Sequence, residues 1–400
     1  MSTESVPLDR GFPTLNAVRA AGALMVLLTH VAFNTGQVMQ GWAGAVLSRF
    51  DFGVTLFFIL SGFLLSRPFF MAQALGAPYP STPHYLWKRA LRILPLYWVV
   101  VIAALLLDPA NRGSSVGRWI SDLTLTQIYL DRAPSSSLTQ MWSLATEASF
   151  YLVLPLLVAL CAPRRSAAGI PATDGTALRR ILLTLGVMSV VGLVWVGWAA
   201  TRHTGPGFHS WLPAFLPWFG VGMAFAAISA DLRVRPRPHV LDRLGADLTG
   251  CWLLATAVFA VACTAVAGPR SLNHPDPWEA VFKCVLYATA GAFFVLPLVF
   301  GPQRQGTVRR ILTHPIPHYL GEISYGIFAI HMLVLVVGME VVGIDTFTGQ
   351  FWTVLGLVLV LTLPLSALAH RFVEKPLLRL KNAGPFAPRD TRRVADTAAP

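Results

Sequence analysis

Seven ionisable residues sit inside or beside long apolar runs of this 400-residue chain: Arg19, His30, Glu147, Lys283, Glu322, His331 and Glu340. A charge at the centre of a membrane-spanning helix costs about 2.5–3.5 kcal/mol on insertion scales, so it persists only where it is paired, near an interface or in a polar cavity. Arg19 and His30 lie eleven residues apart in RAAGALMVLLTH. On a helix that is about three turns, which puts both on one face about 16 Å apart along the axis. An imidazole so placed can take and return a proton near neutral pH. The spacing also fits an arginine that snorkels to the headgroups and a histidine that merely packs. Glu147, in MWSLATEASFYLVLP, falls two turns into its own run, at a depth expected to match His30. A carboxylate bonded to the imidazole would fix its tautomer and favour its protonated form during catalysis. A structural His–Glu pair would read the same way.

Three further groups carry chemistry. WKRALRILPLYW sets Lys88, Arg89 and Arg92 at the start of a span, with Arg89 and Arg92 on one helix face. Guanidinium forks suit phosphate oxygens, although plain anchoring of a basic loop gives the same residues. Ser61-Gly62 lies mid-run in DFGVTLFFILSGFLLS: the glycine allows close helix packing or backbone room for a substrate, with Ser61 as a polar contact. His331 lies mid-run beside Ser324 and Tyr325, and serves equally as helix–helix glue or as part of a site. His314 and His318 have metal-like i,i+4 spacing, but Pro315 and Pro317 are expected to break any helix there, so no metal site is expected. The sequence has no P-loop, no G-x-S-x-G, no dinucleotide fingerprint and no zinc pattern.

The elements that must position these residues are membrane spans. The chain is 54% hydrophobic and 12% charged, where a soluble domain carries about 25% charged residues. The net charge of +12 invites a nucleic-acid partner. The basic residues instead cluster between apolar runs, which excludes that reading and makes the lipid bilayer the expected environment. Runs of the length needed to span fall near 15–36, 52–74, 91–107, 141–161, 179–201, 211–230, 247–267, 278–300, 319–341 and 351–373. Segment 119–130 is too short and polar to span and fits an interfacial or re-entrant piece. Alternate ends of these runs hold 23 basic residues against 6 at the opposite ends. The sequence therefore predicts an all-α, polytopic membrane bundle of about ten transmembrane helices, multi-pass in the inner (plasma) membrane, with both termini cytoplasmic. The expected organisation is a cytoplasmic segment 1–14, a transmembrane domain 15–373 and a basic cytoplasmic tail 374–400, disordered after about residue 382. Cys161, Cys251, Cys263 and Cys284 read as free packing thiols. The basic residues are arginine apart from four lysines, a bias that hints at a GC-rich bacterial genome.

Six stretches, LNAVRAAGALMVLLTH, FGVTLFFILSGFLLS, KRALRILPLYW, MWSLATEASFYLVLP, LGEISYGIFAIHMLV and FVEKPLLRL, together resemble the acyltransferase-3 family of integral membrane O-acyltransferases. The resemblance runs from about Leu15 to Arg379, in family order. It implies a catalytic set of His30, Glu147 and Arg19, with His30 as the base. It implies that Arg89 and Arg92 contact an acyl-CoA donor, to which the residue reading adds Lys88 and Ser61 as candidate contacts, and that Trp142, Ser324, Tyr325 and His331 line the substrate site. No permanently bound cofactor is implied; acyl-CoA is a substrate. The implied reaction moves an acyl group from cytosolic acyl-CoA to a hydroxyl of a sugar, glycolipid, polysaccharide or glycosylated metabolite. The chain departs from the family pattern at Asn16, where an acidic residue is common, at Ala148 and Ser149 after the motif glutamate, and at Met332 after the late histidine. These departures bear on acceptor choice more than on the chemistry. About 27 residues follow the last run, so the soluble esterase-like domain fused to some members is not expected. The competing reading from the residues alone is a transporter or flippase that uses intramembrane Arg, Glu and His as a proton relay.

Overall fold

A computed structural model describes residues 11–131, 134–161, 175–202, 207–270, 274–303 and 305–382. The segment before Gly11, the basic positions Arg132, Arg164, Arg165 and Arg304, and the expected tail after Asn382 lie outside the described residues. Ten main helices carry the chain: α1 Thr14–Asn34, α2 Phe52–Ala74, α3 Thr82–Leu107, α4 Met141–Cys161 and α5 Thr176–Ala200, followed by α6 Leu216–Val234, α7 Leu248–Ala262, α8 Pro277–Val299, α9 Ser324–Val342 and α10 Phe351–Ala369. The described residues contain no strand. A bilayer explains why: backbone groups in hydrocarbon must be satisfied within their own segment.

Nine helices among the described residues are long and apolar enough to cross a membrane, or up to ten if a bent pair counts as one span. That pair is Val240–Ala246 with α7, broken by 88° at Asp247. Asp247 caps the start of α7 by accepting from the Gly250 N–H, and so fixes the bend there. The expected straight span over 247–267 is therefore a 15-residue helix reached through an elbow.

Burial follows the sequence pattern. α2 is apolar all round and lies at the centre, against α1 and α6. Glycines set how closely these helices approach. A Cβ on Gly62 would overlap the Phe219 carbonyl of α6, one on Gly222 the Ile59 carbonyl of α2, and one on Gly53 the Gly22 carbonyl of α1. The Gly62 backbone is thus spent on helix packing, while its neighbour Ser61 faces elsewhere. At the other extreme α5 exposes Leu183, Val187, Val190, Val191 and Val194, an outward face suited to lipid tails.

Several segments add local detail to, or depart from, what the sequence predicts. α3 begins at Thr82 and not near residue 91, because Pro83 fits the first helical turn and the amphipathic Lys88–Arg92 stretch continues the helix. Arg89 and Arg92 accordingly lie two to three turns inside it. Residues 315–322 form a helix in spite of their prolines: Pro315 is its first residue, where a missing N–H costs nothing, and the His314 side chain caps it. His318 on that helix bonds Asn16 at 3.1 Å and pairs with Glu322 at 3.6 Å. Residues 119–130 fold as part of the helix Val116–Leu123 and a 3-10 turn Gln127–Tyr129. The last helix continues beyond residue 373 through a π-turn, His370–Glu374, to Asn382.

Candidate active site

The end of the bundle that carries the start of α1 together with Arg67, Arg89, Arg235 and Arg309 is its basic end. A cavity of ≈ 270 Å³ opens among α1, α2, α3, α4 and α9, and its polar lining is Arg19, Ser61, Arg89, Arg92, Ser143, Glu147, Tyr151, Ser324 and Tyr325. Arg19 comes from the second turn of α1. Arg89 and Arg92 project together from one face of α3, as i,i+3 neighbours must.

Glu147 is the only carboxylate in this lining. Its Oε1 accepts from the Ser61 hydroxyl and from the Tyr151 hydroxyl, the latter at 2.8 Å. No hydrogen bond from a described residue engages its Oε2. Arg89 Nε is buried without a hydrogen-bond partner among the described residues. Arg92 Nη1 lies 3.5 Å from Glu374 Oε2, and Glu374 is only 2% exposed. Three guanidinium groups facing one carboxylate leave the cavity cationic, and its open donors suit an anionic or strongly polar ligand. Tyr325 is held by its hydroxyl to the Ile93 carbonyl at 2.7 Å, and Ser324 to the Gly321 carbonyl at 2.8 Å.

His30 lies outside this lining and is paired with a different residue from the one expected. Its Nδ1 is 2.8 Å from the Val26 carbonyl and 3.2 Å from His331 Nε2. The two ring centroids are 5.2 Å apart. Glu147 makes no hydrogen bond to it. The reason lies in where α4 begins. Residues 108–131 and 134–140 fold into the bundle around a buried polar network: Ser137 donates to Asp108 at 2.7 Å and Asn111 to Ser135 at 2.9 Å. Gln140, 2% exposed, donates to the Ala329 carbonyl in the second turn of α9. α4 therefore starts near the level of His331, and Glu147, seven residues on, falls about 10 Å further toward the basic end. Equal residue counts from the ends of two spans do not give equal depths when one span starts inside the protein.

Phe57 and Phe328 both line the cavity and meet edge to face at 6.0 Å. The Phe328 ring is 6.1 Å from that of His331. Of the remaining expected residues, Lys88 does not line the cavity. Trp142 stacks on Phe215 at 5.2 Å within an aromatic cluster that includes Phe58 and Phe219, and it too is absent from the lining. Sequence reasoning missed Ser143 and Tyr151, which follow from Glu147 by helical spacing, and Glu374. That last residue sits in FVEKP at the end of a span, where a lone carboxylate reads as a loop charge. Only the fold brings it to Arg92.

The chain is thus a multi-pass bundle with an Arg-lined cavity and, beyond it, a histidine pair. The acyltransferase-3 model, described as an acyltransferase domain, matches residues 12–371, and the chain belongs to that family. It is an acyltransferase, which sets the transporter reading aside. The chain is 27% identical to the acyltransferase MdmB of Streptomyces mycarofaciens, over 92% of each chain. It is 26% identical to YrhL of Bacillus subtilis (strain 168), provisionally named a peptidoglycan O-acetyltransferase, over 92% of this chain and 55% of that one. Nodulation protein 10 of Rhizobium leguminosarum bv. viciae is 24% identical over 92% of this chain and 93% of its own. No solved structure matches.

Proposed function

We propose that the protein transfers an acyl group from acyl-CoA to a hydroxyl of a sugar-containing acceptor such as a glycolipid, polysaccharide or glycosylated metabolite. The observation that carries this reading is the convergence of Arg19, Arg89 and Arg92 with Ser61 and Glu147 on one cavity at the basic end. At ≈ 270 Å³ the cavity lies at the small end of ligand pockets, which run about 300–1,000 Å³, and suits the arm and acyl end of a donor with its nucleotide outside. The excess of basic residues supports a cytoplasmic placement of the basic end, where acyl-CoA is available. Arg89 and Arg92 bind donor phosphates as charge-assisted partners. Arg19 and Ser61 contact the arm of the donor, and Glu147 holds Ser61 and Tyr151 in place. His30 accepts the proton of the acceptor hydroxyl as its oxygen attacks the thioester carbonyl. The C–S bond then breaks and the same proton passes to the leaving thiolate, giving acyl ester and CoA thiol. The acceptor class is supported by the Bacillus relative, which is named for a peptidoglycan acceptor.

The test is release of CoA thiol by purified protein in nanodiscs, supplied with donors from acetyl- to palmitoyl-CoA and with envelope glycans or glycolipids. Acceptor-dependent thiol release with gain of one acyl mass on the acceptor is expected. Failure to consume any donor in the series would contradict acyl-CoA as substrate. Mass spectrometry of a deletion strain, searched for a lost acyl mass, identifies the acceptor.

A further inference from the structure

We infer that His331 is a positioning residue that fixes the tautomer and direction of His30, leaving His30 Nε2 as the base. The inference deepens the function proposed above and rests on His30 taking the acceptor proton. A carbonyl oxygen only accepts, so each ring nitrogen that bonds one must carry the hydrogen. His30 Nδ1 lies 2.8 Å from the Val26 carbonyl, and His331 Nδ1 lies 3.0 Å from the Ile327 carbonyl. Both are the i−4 carbonyl of the histidine's own helix, so α1 and α9 each impose the Nδ1–H form. In that form His331 Nε2 is a lone pair. It sits 3.2 Å from His30 Nδ1, and the His30 N–H is shared between Val26 and His331 as a three-centre bond. Among the described residues, one nitrogen of the four has no hydrogen bond: His30 Nε2.

The two rings are not equivalent. His331 is 0% exposed, whereas His30 retains accessible surface. His30 therefore meets the acceptor, and His331 acts through it. When His30 Nε2 takes the hydroxyl proton, the charge on the imidazolium strengthens the Nδ1–H···Nε2 bond to His331, an interaction largest in the transition state. This is the work the sequence assigned to Glu147, done here by a second imidazole. The relation resembles the support that a carboxylate gives a catalytic histidine, without a second buried charge.

The experiment combines turnover with a direct reading of the tautomer. Three replacements separate the roles. His331→Gln keeps an acceptor near the position of Nε2, His331→Asn places its amide near Nδ1 and cannot reach His30, and His331→Leu removes both. Expected at saturating acyl-CoA is a fall in kcat of about ten- to a hundredfold for Leu and Asn, the rate equivalent of one charge-assisted hydrogen bond, with substantial recovery in Gln. Donor affinity stays unchanged in all three, which also shows that they fold. Nitrogen-15 NMR of ring-labelled histidine in nanodiscs, with His30 assigned by its loss in His30→Asn, should show Nδ1 protonated and Nε2 bare. A protonated His30 Nε2, wild-type kcat in Leu, or equal losses in Gln, Asn and Leu would each overturn the inference. Wild-type turnover in His30→Ala would instead sink the base assignment on which it rests.

Discussion

The arginine cavity and the histidine pair are neighbours through Phe328, yet they satisfy their polar groups in opposite ways. Among the described residues, Arg89 Nε is buried without a partner, Arg92 is held only at 3.5 Å from Glu374, and the hydrogen bonds to Glu147 all reach Oε1. In the pair, three of four ring nitrogens are bonded at 2.8–3.2 Å. Open charges are what a binding region needs, because a ligand supplies the missing partners. Prearranged bonds are what a proton-transfer region needs, because reorganisation during the reaction would cost rate. The difference assigns binding to one end and chemistry to the other.

Substitutions can break that division, beginning with the largest effect. His30→Ala should lower turnover by about 10²–10⁴-fold, the usual contribution of general base catalysis, while acyl-CoA affinity holds in calorimetry. A matching loss of affinity would merge the two regions. Arg89→Ala or Arg92→Ala should weaken acyl-CoA binding by about tenfold or more, the worth of a charge-assisted bond, with thiol release recovering at high donor concentration. Glu147→Gln retains an oxygen for Ser61 and Tyr151, so turnover should fall severalfold, and Glu147→Ala should fall further because both hydroxyls lose their partner. If Glu147→Gln matched His30→Ala, the carboxylate itself would belong to the proton-transfer step. Gly222→Ala tests the scaffold: its Cβ would meet the Ile59 carbonyl, and overpacking costs about 1–3 kcal/mol, so the melting temperature in detergent should drop. Lys88→Ala, outside the cavity, should change affinity least; an effect equal to that of Arg92→Ala would favour general attraction by a basic face.

Much of this arrangement was legible in the sequence. The spans, the alternation of basic ends, and the convergence of Arg19, Arg89, Arg92, Ser61, Ser324 and Tyr325 follow from hydrophobic run length, loop charge and family motifs. These signals are local or ordered along the chain. What was not legible depends on how one segment starts relative to another. Glu147 misses His30 because Asp108, Asn111, Ser135, Ser137 and Gln140 fold the preceding loop into the bundle, and such a network has no periodicity to read. Glu374 and His331 reach their partners only through contacts between helices distant in sequence. The elbow at Asp247 and the helix started by Pro315 were hidden for a simpler reason: each is one residue's capping chemistry inside a run that reads as uniform.

The central claim is that the donor lies in the arginine cavity with its acyl end directed toward the histidines. Photo-crosslinking with an acyl-CoA that carries a diazirine on the acyl group tests it without knowledge of the acceptor. Peptide mass spectrometry should place the label on α1, α2 and α9 around His30, Phe57, Phe328 and His331, with labelling abolished by excess CoA and reduced in Arg92→Ala. Label confined to helix faces turned toward lipid, or placed equally well with Arg92 removed, would contradict the account.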